Sequence, residues 1–200
     1  MCSIFGSFKK EIFKDLHKLN SYRGELTYSI SIFTSDSYLK NMNQGSGKLS
    51  YSLLEETELC QGEYLLGHTQ APTGEDSTIH PAEYKNWKLW HNGIVKEGGY
   101  PEGRWDTEWI LENIYKKGWD FLSDVDGSFS CVLHNPKNYS LFLFRNEISP
   151  LFVDEKMNIS STRFDNSYSL PPNNVFRVNL TKLTLVSVAE FKTKENPYFF

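Results

Sequence analysis

The order of apolar and polar residues predicts a series of short strands. Residues 26–33 alternate, with Tyr28, Ile30 and Ile32 on one face and Thr27, Ser29 and Ser31 on the other, which indicates a half-buried strand. Ile4 and Phe5 indicate a short buried strand. Further strands are predicted at 63–67, 88–90, 128–133, 139–144, 151–154, 158–161, 175–179 and 183–188, separated by turn signals such as Asn135-Pro136.

Helical spacing occurs in two places. The first predicted helix begins after Gly6-Ser7 and ends at Gly24, and its apolar face consists of Phe8, Ile12, Leu16 and Leu19. The second begins at Asp106, its predicted N-cap, and ends before Gly118; its apolar pairs are Ile110 with Ile114 and Leu111 with Tyr115. Residues 34–50 are polar, so we expect a loop there, before or within a helical or irregular segment.

Composition limits the classes of function. A chain of 200 residues suits one domain, expected to span 1–200. The net charge is −4 and the 21 Lys and Arg residues are scattered, which argues against nucleic acid as a partner. Three cysteines without a CxxC pair or a secretory leader indicate a reduced, cytoplasmic protein. No apolar run approaches the ~18 residues of a spanning helix, so no membrane role is expected.

Cys2 is the candidate nucleophile. Cysteine is small enough for Met1 to be removed, and removal would leave a free α-amine beside the thiol of Cys2. With reference pKa values of about 7.7–8.0 for the amine and about 8.5 for the thiol, the amine can take the thiol proton at neutral pH. The alternative is a small buried residue, because free cysteines mostly serve packing.

Two polar segments are candidates for ligand contact. The strand at 63–67 leads into residues 67–74, predicted to be a loop because Pro72 and Gly74 oppose regular pairing. The strand at 88–90 leads into His91-Asn92-Gly93, where the Asn92 amide and the Gly93 backbone N–H can form an oxyanion hole. The alternative is a turn, since Asn-Gly is a strong hairpin dipeptide.

Taken in order, these segments resemble the class II glutamine amidotransferases, whose glutaminase domain belongs to the N-terminal nucleophile hydrolases. Residues 1–6, Met-Cys-Ser-Ile-Phe-Gly, are similar to the family's Met-Cys-Gly-Ile-Phe-Gly, and Arg23-Gly24 to its Arg-Gly. Gly-His-Thr-Gln-Ala-Pro-Thr at 67–73 resembles Gly-His-Thr-Arg-Trp-Ala-Thr, whereas His-Asn-Gly at 91–93 and Asp-Thr-Glu at 106–108 are identical to family tripeptides. Asp-Gly-Ser-Phe at 126–129 resembles the family's Asp-Gly-x-Phe element, and the segment 145–151, which runs from Arg-Asn to Pro-Leu, resembles its Arg-Asp…Pro-Leu element. Several motifs in the same order make the resemblance specific.

The resemblance implies an α+β fold, a four-layer α-β-β-α sandwich of two antiparallel sheets with Cys2 at a strand end. It also implies that the Cys2 thiolate attacks the side-chain amide of glutamine while Asn92 and Gly93 hold the oxyanion. Gln70, Thr73, Gly74 and Asp106 would contact the substrate, with Asp106 pairing with its α-ammonium. Arg23, His68 and His91 would be structural residues near the site. Neither a metal nor a cofactor is expected.

Two residues depart from the family pattern. Ser3 replaces the usual glycine after the nucleophile, which is a mild change. Gln70 replaces the arginine that clamps the α-carboxylate of glutamine, and the loss of a bidentate charged contact costs ~1.5–3 kcal/mol unless another cation compensates. Arg104 and Arg163 are the candidates for that cation.

The expected function is a stand-alone glutaminase-type subunit. It would supply ammonia to a separate synthase or ligase in trans, and relatives of this kind occur in phage and bacterial gene clusters, so a phage origin fits the resemblance. One alternative is an N-terminal nucleophile amidase for another amide, which Gln70 favours. The other is a catalytically silent, glutaminase-like binding subunit, against which the retained Cys2, Asn92 and Gly93 argue.

Overall fold

The computed structural model of the chain describes residues 2–71, 78–96 and 99–194. In these residues, two antiparallel sheets of seven and six strands pack face to face, with helices on both outer faces. The expected four-layer α-β-β-α sandwich is therefore confirmed. None of the helices in this part of the chain is long and apolar enough to cross a membrane.

The elements follow the chain in this order: β1 (Ser3–Ser7), α1 (Lys10–Asn20), β2 (Thr27–Phe33), β3 (Leu39–Ser46), α2 (Tyr51–Glu56), β4 (Tyr64–Gln70), β5 (Ala82–Tyr84), β6 (Trp87–Val95), α3 (Asp106–Lys117), β7 (Gly127–Asn135), β8 (Ser140–Arg145), β9 (Phe152–Val153), β10 (Ile159–Ser160), β11 (Tyr168–Ser169), β12 (Asn174–Asn179) and β13 (Thr184–Glu190). Short 3-10 helices cover Ser21–Arg23 and Trp119–Asp124. The first sheet has the order β11-β9-β10-β1-β4-β2-β3 and the second β13-β12-β8-β7-β6-β5.

Three apolar layers hold the sandwich together. The layer between the sheets contains Ile4, Trp90 and Leu143, all buried. A second layer under α1 and α2 includes Phe5 and Phe13, and a third under α3 includes Ile110, Phe129 and Cys131. Cys131 is thus a core residue, as its alternation with Phe129 and Leu133 predicts. β1 lies between β10 and β4 in the first sheet, and Cys2 immediately precedes it.

The predicted face of the first helix is right for Leu16, which is buried, and for Ile12, which packs against the same core, and wrong for Phe8 and Leu19. α1 begins at Lys10, because Gly6 and Ser7 belong to β1, and Phe8 packs against Tyr64 before the helix starts. The buried residues of α1 are Phe13, Leu16, His17 and Asn20, whereas Leu19 is 37% exposed. The second helix is confirmed from Asp106 to Lys117, with Trp105 instead of Asp106 as its N-cap.

The prediction of a half-buried strand at 26–33 needs one correction. β2 has the predicted alternation, but its polar face is buried as well: Thr27, Ser29 and Ser31 are at most 1% exposed. These side chains face the second sheet, where Ser29 accepts a hydrogen bond of 3.3 Å from the Trp90 indole. The space between the two sheets is therefore lined by polar side chains along part of β2.

Three segments predicted as a loop, or given a turn as the alternative, contain strand residues. The loop expected at 34–50 is wrong, since β3 pairs with β2 along Leu39–Ser46 at the sheet edge. β4 continues to Gln70, so 68–70 are strand instead of loop. His91-Asn92-Gly93 lies within β6 and pairs with Cys131, Ser130 and Phe129 of β7, which excludes the turn. The later strands are confirmed within a few residues, while β5 and β11 were not predicted.

Candidate active site

Cys2 immediately precedes β1 and is 5% exposed. The Nε of Arg23 donates a hydrogen bond of 3.0 Å to the Cys2 carbonyl, and the next side chain, Ser3, lies 2.6 Å from the Thr69 hydroxyl on β4. The segment that follows Arg23 passes close to the end of β4. Glycine at position 24 allows this, because a Cβ there would lie 2.4 Å from the backbone nitrogen of Ala71. The backbone around Cys2 is therefore fixed from both flanking segments.

Burial raises the pKa of the Cys2 thiol above its ordinary value. The Ala71 backbone N–H and the Arg23 guanidinium oppose the rise, and the Asp106 carboxylate adds to it. The thiol is consequently protonated at neutral pH and needs a base before it can act as a nucleophile. The α-amine expected to be that base requires removal of Met1, which lies outside the described residues.

A cavity of about 300 Å³ opens at Cys2. Both sheets and α3 contribute to its walls, and the predicted site residues that line it are Cys2, Gln70, His91, Gly93 and Asp106. Thr73 and Gly74 lie outside the described residues. No group of His, Cys, Asp and Glu side chains in the described ranges is placed to hold a metal ion.

Asn92 is not among the residues that line the cavity; it lies in a cluster of three buried serines, Ser130, Ser149 and Ser161, called here the serine cluster. Its Nδ2 donates to the hydroxyls of Ser130 (3.3 Å) and Ser161 (3.2 Å). The backbone carbonyl of Asn92 accepts a hydrogen bond of 2.9 Å from the Ser149 hydroxyl. Ser161 also accepts from the backbone N–H of Ile4 at 2.9 Å, so a single hydroxyl links Asn92 to the strand that follows Cys2.

Gly93 is fitted to its place by the neighbouring strand. A Cβ at Gly93 would lie 1.9 Å from the Ser128 carbonyl oxygen, so no larger residue fits without a backbone shift. Both backbone groups of its partner in the register, Phe129, bond to Asn146 instead: the Phe129 N–H donates to the side-chain Oδ1 of Asn146, and the Phe129 carbonyl accepts from the Asn146 N–H. Gly93 thus belongs to a non-hydrogen-bonded pair, and its N–H points away from β7.

The first turn of α3 carries the Asp106 carboxylate into the cavity. Oδ1 accepts from the Thr107 backbone N–H at 2.6 Å and Oδ2 accepts from the Val95 N–H at 3.3 Å, which fixes both oxygens. A carboxylate oxygen can accept more than one hydrogen bond, so Asp106 retains capacity for a cationic ligand group. Its position in the first helical turn also suits the positive end of the helix dipole.

Three buried histidines lie at the cavity: His80 and His91 line it, and His68 is not among the lining residues. The rings of His68 and His80 stack with centroids 3.9 Å apart, and His68 Nε2 lies 3.0 Å from the His91 carbonyl, which joins β4 to β6. The Thr107 hydroxyl lies 3.1 Å from His91 Nδ1 and 3.3 Å from His80 Nε2. Burial lowers the pKa of His68 to about 3 and holds the pKa of His80 well below its ordinary value, so both are neutral at pH 7.

The two arginines considered as partners for a carboxylate differ in position. Arg104 lines the cavity, and its guanidinium pairs with Glu112 at 2.7 Å. Arg163 is exposed and is not among the lining residues. Gln70 is 3% exposed and its Oε1 accepts from the Thr27 hydroxyl at 2.7 Å.

Two residues of the site had no signal in the sequence. His80 and Ser161 are single polar residues that contact the site through partners distant in the chain: Ser161 and Ile4 are 157 positions apart. Thr107 was within reach of sequence reasoning, because it is the middle residue of Asp106-Thr107-Glu108. The serine cluster was not, since isolated serines occur throughout the sequence.

Comparison with known proteins supports the fold. No protein-family model and no curated protein sequence matches the chain. Among solved structures, glutamine phosphoribosylpyrophosphate amidotransferase from B. subtilis, complexed with ADP and GMP, aligns with a TM-score of 0.64 and 18% identity over 94% of this chain and 49% of that one. A structure described as the allosteric regulatory enzyme of purine biosynthesis aligns with a TM-score of 0.62 and 15% identity, over 94% and 48%. The chain has the fold of these enzymes over about half their length.

Proposed function

We propose that this protein hydrolyses the side-chain amide of a glutamine-type substrate through Cys2. The observation that carries the proposal is the placement of Cys2 at the end of β1 in a cavity shared with Gly93 and Asp106. These residues are far apart in the sequence, yet they supply a nucleophile, a backbone donor and a partner for an amine. Their arrangement matches the chemical needs of amide hydrolysis.

In the proposed reaction, the α-amine of Cys2 takes the thiol proton and the sulfur attacks the side-chain carbonyl carbon. The Gly93 N–H and the Asn92 amide hold the oxyanion of the tetrahedral intermediate. Asn92 must then redirect one N–H from Ser130 or Ser161 toward the oxyanion, since both serines accept from it in this structure. The C–N bond breaks, ammonia leaves with the proton, and water hydrolyses the γ-thioester to a carboxylate and the free thiol.

Ammonia release by the wild type and by Cys2→Ala tests the nucleophile. We expect the variant to lose release and keep its fold, because truncation of one thiol at a chain end removes little core packing. Cys131→Ala is the control, since that thiol is buried under α3 and is not among the residues that line the cavity. Ammonia release that survives in Cys2→Ala overturns the assignment.

We also propose that the ammonia is used by a separate synthase or ligase. Ammonia in bulk water at neutral pH is mostly protonated and is then a poor nucleophile, so release beside its consumer is advantageous. The three cysteines are all free, which suits the reducing cytoplasm proposed as its location. Affinity purification from the native source is expected to recover an amide- or amine-forming enzyme; recovery of the protein alone, at its full hydrolytic rate, contradicts the coupling.

A further inference from the structure

The cavity at Cys2 has a charge distribution that bears on the substrate. Among its described lining residues, Arg104 is the only arginine or lysine. Its Nη2 lies 2.7 Å from Glu112 and 3.9 Å from Glu108, so two carboxylates already face the guanidinium. A substrate carboxylate at Arg104 would have to compete with both of them.

Apart from Arg104, the Asp106 carboxylate is the only Arg, Lys, Asp or Glu side chain among the described lining residues. The described part of the cavity is therefore suited to a cationic group and poorly suited to a free carboxylate, because a desolvated carboxylate without a partner is costly.

Gln70 is held so that it presents a neutral donor. The Thr27 hydroxyl donates to Gln70 Oε1 at 2.7 Å, and Thr27 and Gln70 lie opposite each other in the β2–β4 register. Both residues are buried, so this contact fixes the orientation of the amide. With Oε1 taken by Thr27, the amide NH₂ is the group that Gln70 offers to the cavity. An uncharged N–H matches an uncharged carbonyl acceptor.

We propose that the cavity selects a glutaminyl group that keeps its α-ammonium but carries a neutral carbonyl in place of the free α-carboxylate. The amide NH₂ of Gln70 donates to that carbonyl, and Asp106 pairs with the ammonium. Such a group occurs in glutamine carboxamides and at the N-terminus of a glutaminyl peptide. The inference rests on the proposed function, since the Cys2 chemistry at the side-chain amide is unchanged.

The test compares kcat/KM for ammonia release from L-glutamine, L-glutamine N-methylamide and a glutaminyl-glycyl-glycine peptide. Products are identified by mass, because spontaneous cyclisation also releases ammonia but gives a pyroglutamyl product. We expect the methylamide to exceed glutamine by at least about tenfold, the preference that one charge-dependent contact commonly produces. A peptide rate equal to that of the methylamide indicates a peptide source, and a much lower rate indicates a small carboxamide.

Three variants test which side chain produces the preference for the methylamide. Gln70→Arg is expected to reverse the preference toward glutamine. Thr27→Val removes the hydroxyl that holds Gln70 Oε1 and keeps a side chain of nearly the same size. It is expected to reduce the preference for the methylamide over glutamine. Arg104→Gln is the control and should change the ratio by less than about threefold, because the guanidinium is not the carboxylate partner.

The outcomes separate this inference from the function on which it rests. Cys2-dependent hydrolysis with glutamine preferred by the wild type overturns the substrate class and leaves the proposed function intact. A selective loss of glutamine hydrolysis in Arg104→Gln also overturns it. Calorimetric binding to Cys2→Ala provides a reading independent of turnover: tighter binding of the methylamide than of glutamine supports the inference, and the opposite order refutes it.

Discussion

Ser161→Ala probes how the site is held in place. The Ser161 hydroxyl accepts from the Ile4 backbone N–H at 2.9 Å and from Asn92 Nδ2 at 3.2 Å, and Ser161 is 1% exposed. The variant leaves two buried donors without this acceptor, and each such loss costs about 1–3 kcal/mol. We expect a total loss of about 2–4 kcal/mol in the free energy of unfolding, below the largest sum because Asn92 keeps its contact with Ser130.

The same change should reach the chemistry, since Ser161 joins Asn92 to the strand that follows Cys2. We expect kcat to fall by about 10- to 100-fold, less than removal of an oxyanion donor itself. Urea unfolding and ammonia release measure the two effects. Ser149→Ala is the matched control: Ser149 lies in the same cluster, but its hydroxyl bonds only to the Asn92 backbone carbonyl and to Ser130, so a loss of about 1 kcal/mol and little kinetic change are expected. A Ser161→Ala variant with wild-type stability and kcat refutes the reasoning.

Three further predictions concern single side chains of the site. Asn92→Ala should lower kcat by about 10²–10³-fold with a smaller change in substrate binding, measured by steady-state ammonia release; an unchanged kcat means that Asn92 only supports the strand. Asp106→Asn should raise KM more than it lowers kcat, because the amide oxygen can still accept from Thr107 while the charge for the ammonium is lost; a pure stability loss would make Asp106 structural. His68 has a folded-state pKa of about 3 against 6.5 for an ordinary histidine, so the unfolded chain binds the extra proton below pH 6.5 and stability falls from there toward pH 3. Between pH 6.5 and about pH 5 this histidine alone should cost about 2 kcal/mol, and urea unfolding of His68→Gln should show a correspondingly smaller acid loss; an unchanged pH dependence contradicts a neutral buried His68.

The positions of the candidate chemistry could be predicted because they fall in short contiguous segments. Cys2 directly follows Met1, and Asn92 and Gly93 are adjacent, so each could be recognised without tertiary information. The structure brings Cys2, Gly93 and Asp106 to one cavity. Their catalytic roles stay predictions until they are measured.

Local pattern failed where the tertiary environment determines the outcome. Asn92-Gly93 looks like a hairpin turn, but both residues pair with β7 within β6, and glycine is needed there because the Ser128 carbonyl leaves no room for a side chain. β3 has mostly exposed side chains and is held by backbone pairing to β2, so its sequence lacks the alternation of a half-buried strand. The buried serines of β2 were assigned to solvent because polarity normally signals exposure.

The serine cluster shows a second limit. Its contacts join residues far apart in the chain, and a single serine carries no periodic signal. The environment of Gln70 is similar: the sequence shows that an arginine is absent, but only the structure shows that Thr27 fixes the amide and that Glu112 occupies Arg104.

Covalent labelling shows whether Cys2 is the nucleophile. The intact mass is measured after incubation with the diazoketone analogues of glutamine and of glutamine N-methylamide, which alkylate a nucleophilic thiol in a matching site. We expect one adduct per chain, absent in Cys2→Ser and retained in Cys60→Ser, whose thiol is exposed in the wild type. An adduct that persists in Cys2→Ser, or no adduct with either analogue, contradicts the assignment of Cys2 as the nucleophile.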